Sequence, residues 1–427
     1  MTAALQRRQF LARAASLAAP ALSPAIVRAQ GASARVVVVG GGFGGATVAR
    51  YLRAWAPQVQ VTLVEPAQSF VTCPFSNHYL AGLRSWDSIS HGWGGLRAAG
   101  VQVVHARADD VDGVRRTLRL DSGHVLPWDR LVLSPGVDMR WSALEGYDQA
   151  AAELAPHAWK AGAQTRLLRR QLEAMPDGGV FAMVIPDNPF RCPPGPYERA
   201  SLVAHYLRQH KPRSKVLLLD AKNNFSKKEL FLQGWKDLYG GMVEWVSLAQ
   251  DGQVVRVDAR ALQVETAFGE LHQADVLNVI PPQKAGLIAE RAGVTGPSGW
   301  APMRGDDFAS TQVDGIHVLG DAALAGPIPK SGFAANNQGK VVAAALAAAL
   351  TDRPAPAAWY ANTCYSLLAP GYGISVAGVY RAHEGRIVAL PHSVGVSPLD
   401  APPAHRAAEA QHGADWYAAI SADIWGG

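Results

Sequence analysis

The chain has 427 residues, 48% of them hydrophobic and 18% charged, so it reads as globular and too large for one hydrophobic core. Two or three domains are expected, and long disordered stretches are excluded. The formal charge of +5 is concentrated at the N-terminus: residues 1–29 hold Arg7, Arg8, Arg13 and Arg28 and no acid, which leaves about +1 for the rest and argues against a nucleic-acid partner.

Arg7-Arg8-Gln9-Phe10-Leu11 opens the chain's first pattern, followed by a small apolar run over 12–27 that is too short to span a bilayer. Val27-Arg28-Ala29 places small residues where a signal peptidase reads. Residues 1–29 are therefore expected to be a twin-arginine signal peptide that directs the folded, cofactor-loaded protein to the periplasm. No later apolar run reaches the length of a membrane helix, so no integral membrane segment is expected.

Val36–Val39 is a continuous aliphatic run, as in a parallel strand buried on both faces. A Gly-rich turn follows, then a helical pattern over Ala46–Ala54 and a second strand at Val59–Val64. The turn, Gly40-Gly41-Gly42-Phe43-Gly44-Gly45, is a G-x-G-x-x-G at Gly40, Gly42 and Gly45. Those positions serve a tight turn, close approach of backbone to a pyrophosphate, and close helix packing. Glu65 ends the next strand twenty residues after Gly45, where a carboxylate accepts hydrogen bonds from ribose hydroxyls.

A second α/β region is expected from Ala155 to Ile280, with strands at Val180–Ile185 and Val216–Leu219 and a helix around Arg199–Gln209. Ile316–Leu319 reads as a further buried strand leading to a long helix through Leu350, and beyond Asp352 the composition turns Pro- and aromatic-rich. Two segments choose the cofactor. Asp129–Gly136, with Ser134 and Gly136, resembles the strand-to-crossover motif of two-dinucleotide-domain flavoproteins. Ile316–Ala322, with Gly320 and Asp321, resembles their late motif, whose Asp binds the ribityl–phosphate chain. Together with the glycine turn they point to FAD.

The second region has no such turn. After Ile185 comes Pro186-Asp187-Asn188-Pro189-Phe190-Arg191-Cys192-Pro193-Pro194-Gly195-Pro196, in which prolines remove the N–H donors that would cradle a pyrophosphate. No NAD(P)H is expected there, so the flavin must exchange electrons with something else.

Cys73, Cys192 and Cys364 are the three cysteines. One structural disulfide plus a buried thiol is the plainest arithmetic. Context adds chemistry. Cys192 stands in the Pro-rich loop where a nucleotide turn belongs, and Cys364 begins the region that approaches the flavin in such folds; a pair meeting there can act as a redox disulfide. Glu198, six residues after Cys192, is a candidate proton carrier or a solvated helix-start acid. Cys73, soon after Glu65, is either a redox residue or a point of covalent flavin attachment.

Thr72-Cys73-x-x-Ser76-Asn77, the loop from Cys192 through Glu198-Arg199, Pro329-Lys330-Ser331-Gly332, and Trp416 with the terminal Trp425-Gly426 together resemble the flavoprotein subunit of flavocytochrome c sulfide dehydrogenase, a relative of sulfide:quinone oxidoreductases. The resemblance implies an α/β fold of two glutathione-reductase-like Rossmann domains with a C-terminal α+β interface domain. Its segments are expected at 30–154 and 286–351 for FAD, 155–285 for the domain without a nucleotide motif, and 352–427 near the flavin and a cytochrome. It further implies an 8α-S-cysteinyl FAD on Cys73, a Cys192–Cys364 redox disulfide, Glu198 and Trp416 at the active site, Lys330 near the flavin's polar edge, and no metal site. Hydrosulfide would attack the disulfide to give a persulfide, electrons passing through FAD to a c-type haem. The chain has no C-x-x-C-H, so that haem would belong to a separate cytochrome subunit in a heterodimer. The competing readings are a sulfide:quinone oxidoreductase, which needs an apolar C-terminal surface that the mixed tail His405–Gly427 does not offer; a flavoprotein that activates or repairs another sulfur-oxidation protein; and a soluble NADH dehydrogenase, disfavoured by the missing second glycine turn.

Overall fold

The computed structural model describes residues 33–426; the expected signal peptide lies outside the described residues. In chain order, the main elements begin with strand β1 (Arg35–Val39), helix α1 (Gly45–Trp55), β2 (Gln60–Val64), β3 (Gln102–Val104) and β4 (Arg130–Leu133). Next come α2 (Ala163–Ala174), β5 (Val180–Ile185), α3 (Gly195–His210), β6 (Lys215–Asp220), α4 (Lys228–Tyr239), β7 (Val243–Val246) and β8 (Val276–Val279). The chain finishes with β9 (Ile316–Val318), α5 (Gly332–Ala349), β10 (Trp359–Ala369), β11 (Tyr372–His383), β12 (Arg386–Ala389) and α6 (Pro403–Trp425).

Two parallel sheets carry the architecture. The first runs β9-β4-β1-β2-β3, with residues 130–133 and 60–64 flanking β1 on opposite sides. Its strands read as unbroken aliphatic runs because both faces are covered: Val36 and Val38 pack toward α1 and α5, while Val37 and Val39 pack toward Leu131 and Leu133 on the other side. The second sheet runs β7-β6-β5-β8, and its strand β5 alternates in the same way, Phe181, Met183 and Ile185 into one core and Ala182 and Val184 into another.

In each sheet the chain winds outward in both directions from one strand, β1 in the first and β5 in the second. The crevice beyond the C-terminal end of such a strand is where open α/β sheets bind ligands. The first crevice receives the glycine turn and the second receives the Pro-rich loop with Cys192.

The C-terminal region pairs the long strands β10 and β11 in an antiparallel hairpin and returns with α6. Helix α6 is pinned back on the first sheet: Asp423 accepts from Tyr51 and Asn336 and pairs with Lys340, and Trp425 lies edge-on to Phe43 and stacks on Phe70. That closure brings Cys364 on β10 and Trp416 on α6 over the junction of the two sheets.

Candidate active site

A cleft of about 1330 Å³ opens at the first crevice, lined by Gly40, Gly42, Glu65, Cys73, Ser134, Gly136, Arg191, Gly320 and Asp321 among others. The glycines divide by function. A Cβ on Gly45 would lie 2.0 Å from the Gly40 carbonyl, so this position serves packing of α1 against the turn. Gly40 has φ +97° and backs onto the Ser134 carbonyl at 2.3 Å from where its Cβ would stand. Gly42 faces the cleft, where a Cβ meets only Phe70 at 3.3 Å and would occupy space a ligand needs. Glu65 accepts the N–H groups of Gly41 at 2.9 Å and Ala67 at 3.0 Å, which holds its carboxylate at the rim with lone pairs left for hydroxyl donors.

The cleft also holds two groups that its own residues leave incomplete. Asp321 Oδ1 and Arg191 Nη2 are buried without a hydrogen-bond partner among the described residues. Burial pushes the Asp321 carboxyl up, opposed by the positive charges of Arg191 and Lys330. Unpaired buried polar atoms are costly, so this wall fits a ligand rich in hydroxyl and phosphate groups, as FAD is. Lys330 is held by the turn that carries Asp321. Its ammonium donates to the carbonyls of Asp321 and Ala323, both at 2.7 Å, and sits 4.0 Å over the Trp300 ring, so it supports the Asp321 turn from behind rather than standing on the cleft wall.

A smaller cavity of about 110 Å³ adjoins this cleft and shares Cys73 and Arg191 with it. Cys192, Glu198, Cys364, Phe333 and Trp416 also line it. All three cysteines carry free thiols in this structure. Cys73 Sγ accepts the Ala161 N–H at 3.4 Å. Cys192 has a left-handed φ of 56°, rare for a residue with a Cβ; its N–H donates to the Lys330 carbonyl and its own carbonyl caps the turn into Gly195, both at 2.8 Å. The rigid loop thereby aims the thiol at the cavity. Burial pushes the Cys192 thiol up, and the nearby Cys364 sulfur and Glu198 carboxylate push it the same way. Cys364 is 8% exposed and its sulfur accepts from Asn362 Nδ2 at 3.3 Å. Trp416 stacks on Phe333 with ring centroids 6.0 Å apart, closing one side of the cavity.

Glu198 stands in the first turn of α3. Its Oε2 accepts from Asn77 Nδ2 at 2.9 Å and its Oε1 from the Leu367 N–H at 3.0 Å. Burial outweighs these donors and holds the carboxyl above its ordinary value. His78 approaches Glu198 at 3.9 Å, but burial lowers that imidazole to about 3, so it is neutral and forms no ion pair at physiological pH.

Sequence reading missed four residues here. Arg199 is fully engaged, donating to Asn77 Oδ1, Asn278 Oδ1 and the carbonyls of His157 and Ala158, and burial lowers it to about 10. Arg191 lines both the cleft and the cavity, and Asn77 lines the cavity. Lys227, buried at the start of α4, donates to the Cys364 carbonyl at 2.9 Å and to Ser366 Oγ at 2.8 Å. Arg191, Arg199 and Asn77 stood inside recognisable loops; the run Ser226-Lys227-Lys228 looks like an ordinary solvated helix start.

Comparison with known proteins agrees with this geometry. Residues 165–281 match the family described as sulfide dehydrogenase [flavocytochrome c] flavoprotein chain, central; residues 356–425 match flavocytochrome c sulphide dehydrogenase, flavin-binding; residues 34–174 match pyridine nucleotide-disulphide oxidoreductase. The chain is 72% identical over 43 residues to the sulfide dehydrogenase flavoprotein chain of Chlorobaculum thiosulfatiphilum, which covers 10% of this chain and 90% of that sequence. Mouse mitochondrial sulfide:quinone oxidoreductase is 20% identical over 302 residues, 67% of this chain and 65% of its own length. In structure the chain resembles the sulfide:quinone oxidoreductase of Aquifex aeolicus, with TM-score 0.69, 17% identity and coverage of 92% and 93%. It also resembles the reductase in the covalent putidaredoxin reductase–putidaredoxin complex, with TM-score 0.65, 19% identity and coverage of 90% and 94%. The fold is that of the two-dinucleotide-domain flavoproteins, and no described helix is long and apolar enough to cross a membrane. The segments that carry Cys192 and Cys364 into one cavity are thus both segments of a single family, and the chain belongs to it: the flavoprotein chains of flavocytochrome c sulfide dehydrogenase.

Proposed function

We propose that this flavoprotein oxidises sulfide through a Cys192–Cys364 disulfide, with FAD tethered to Cys73, and delivers the electrons to a c-type cytochrome subunit. The observation that carries the reading is the meeting of Cys192 and Cys364 in one cavity that opens, through Cys73 and Arg191, into the dinucleotide cleft.

With both cysteines as thiols, such a pair would be in its reduced form. In the oxidised form, hydrosulfide attacks one cysteine sulfur, the Cys–Cys bond breaks, a persulfide forms on the attacked cysteine and the other leaves as thiolate. The incoming sulfur has then lost two electrons and the pair has gained them. A second hydrosulfide then takes the outer sulfur away as a hydrodisulfide, its attack breaking the persulfide S–S bond and leaving the attacked cysteine as thiolate; FAD, when bound, would supply the two-electron acceptor that lets the two cysteines re-form their disulfide. Glu198, whose raised affinity for a proton follows from burial, receives the proton carried in by hydrosulfide. Asn77 and the Leu367 N–H hold its two oxygens toward fixed donors, so that the proton is taken up in one place. Trp416 and Phe333 limit water in the cavity.

The second crevice supports the absence of a nicotinamide nucleotide. Asp220, at the end of β6, accepts from Tyr197 at 2.6 Å, from Trp245 at 3.0 Å and from Lys222 at 2.6 Å, and is fully buried. Tyr197 and Phe225 stack at 3.5 Å between centroids beside it. Side chains thus use the carboxylate and the space that a nucleotide's ribose would need. Export by the twin-arginine route, suggested by Arg7-Arg8, completes the proposal by matching a fold that must enclose its flavin before crossing a membrane.

The test is anaerobic stopped-flow. Sulfide should bleach the flavin of the wild type and not of Cys192→Ser or Cys364→Ser, and a c-type cytochrome should then recover the flavin absorbance. Recovery by a short-chain quinone and not by cytochrome would assign the quinone reaction instead. Bleaching by NADH would revive a dehydrogenase reading, and no bleaching by sulfide would favour an activating role toward another protein.

A further inference from the structure

Lys227 occupies a position that three separate effects make unfavourable. It is buried, it has a left-handed φ of 64°, and it stands at the N-terminus of α4, where the helix dipole already presents positive charge. A neutral side chain would avoid the two charge costs, and glycine would avoid all three. The ammonium is nonetheless anchored: it donates to the Cys364 carbonyl and Ser366 Oγ on β10, and reaches the Ile374 carbonyl on β11 at 3.5 Å.

The charged and titratable groups around it are Cys364 on β10, Glu198 on α3, Cys192 on its loop and Glu409 on α6. Glu409 also lines the cavity, but its charge faces Arg406 at 3.6 Å and His405 at 3.5 Å, and its Oε1 accepts from the hydroxyls of Ser375 and Ser397. Glu198, Cys192 and Cys364 line the sulfur cavity. Arg191 and Arg199 lie toward Cys73 and Cys192, and Arg199 is saturated by carbonyl and amide oxygens. The Cys364 side of the cavity therefore takes its positive charge from Lys227.

We propose that Lys227 is the positioning and charge-compensating residue of the redox pair: it fixes the strand bearing Cys364 and stabilises the thiolate released there when the disulfide is opened. The inference rests on the sulfide reading for its biological meaning, although the effect on Cys364 does not depend on it. Burial lowers the Lys227 ammonium to about 8, against the pull of the surrounding sulfur and carboxylate groups. The compensating charge is present below that pH and is lost above it, so the device weakens on the alkaline side.

The test compares full-length, flavin-loaded wild type with Lys227→Gln, which keeps a hydrogen-bond donor and removes the charge, and Lys227→Arg, which restores the charge. The first readout is the pH profile of iodoacetamide alkylation at Cys364 in thiol-reduced protein, followed by peptide mass spectrometry. The midpoint should rise by about one pH unit or more in Lys227→Gln and stay within about half a unit in Lys227→Arg. The second readout is the rate of flavin bleaching by sulfide. It should fall above pH about 8 in the wild type. In Lys227→Gln it should be about tenfold slower with that fall absent, and in Lys227→Arg the fall should move up by about two pH units or more. An unmoved alkylation midpoint in Lys227→Gln overturns the proposal, and equal slowing of both variants with unmoved midpoints leaves Lys227 a structural clamp only. If Lys227→Gln does not fold with flavin, Lys227→Arg decides alone, since an unshifted alkaline fall contradicts a charge role. Failure of sulfide to bleach the wild type would count against the proposed function, while the alkylation profile still reports on Lys227.

Discussion

Glu198 accepts the backbone N–H of Leu367 at 3.0 Å. This single bond ties the first turn of α3, six residues after Cys192, to strand β10, three residues after Cys364. The carboxylate therefore couples the two segments that deliver the sulfur atoms, and its second oxygen reaches Asn77 on the short helix after Cys73. One largely enclosed side chain touches all three cysteine-bearing segments.

Replacing Glu198 by Gln separates its proton chemistry from its position. The amide turns an N–H₂ toward one of the two donors and loses that bond, but the volume is unchanged. Sulfide-dependent flavin bleaching should slow by about 10²-fold or more, measured by stopped-flow. Stability should change in the opposite sense. The native carboxyl has a raised pKa, so its contribution is fully present at low pH and lost as pH rises through the raised value. The Tm of Glu198→Gln minus that of the wild type should therefore grow more positive from about pH 5 to about pH 8. A Tm difference independent of pH would contradict the buried-carboxylate account.

Cys73→Ser should leave the flavin bound but not attached. Intact mass spectrometry under denaturing conditions should show the wild type heavier by the mass of FAD and the Ser variant at polypeptide mass, while native gel filtration retains yellow protein in both. Wild-type protein at bare polypeptide mass would disprove the tether.

The glycines of the turn should fail in different ways. In Gly45→Ala the new methyl stands 2.0 Å from the Gly40 carbonyl, so the turn must shift and stability should drop by about 1–3 kcal/mol, measured by denaturant unfolding of the apoprotein. In Gly42→Ala the methyl meets only the Phe70 ring at 3.3 Å and protrudes toward the cleft. Apoprotein stability should stay within about 0.5 kcal/mol of wild type, whereas flavin content falls sharply.

Asp321→Ala removes a buried carboxyl with an orphan oxygen. Without ligand the change should be neutral or stabilising, because an unsatisfied polar group disappears. In the Cys73→Ser background the same change should weaken flavin retention by about tenfold or more, since the ribityl–phosphate chain loses its acceptor. Loss of apoprotein stability together with unchanged retention would place Asp321 in the framework instead.

Much of this protein was legible from local pattern. The aliphatic runs at Val36–Val39 and Val180–Ile185 announced doubly covered parallel strands, and the observed elements begin and end within a few residues of the expected ones. Helix α3 is the largest exception: it starts at Gly195, four residues earlier than its apolar pattern, because prolines at the first turn suit a helix start that needs no N–H donors there. Gly40, Gly42, Glu65, Ser134, Gly136, Gly320 and Asp321 could be singled out because backbone geometry and phosphate chemistry restrict which residues can stand at such places, and these residues line one cleft, with Gly45 packed behind it. The cysteines were readable as chemistry, but because Cys192 and Cys364 belong to different elements their pairing was open from the residues alone and followed only from the family resemblance.

What the sequence by itself determined is the order of strands and turns, the site of the dinucleotide cleft and the absence of a second glycine turn, all of which follow from contacts short in sequence or from the backbone demands of single residues. Tertiary structure alone decided which side chains surround the cysteine cavity and the turns beside it. Lys227 meets Cys364, Asn77 meets Glu198 and Arg199, and Lys330 retires behind Asp321, through contacts between residues far apart in the chain or hidden beneath a turn. Such pairings leave no periodicity to read: a buried cation and a solvated one are the same letter, and burial against named partners is what turns Lys227 from a surface charge into part of the site.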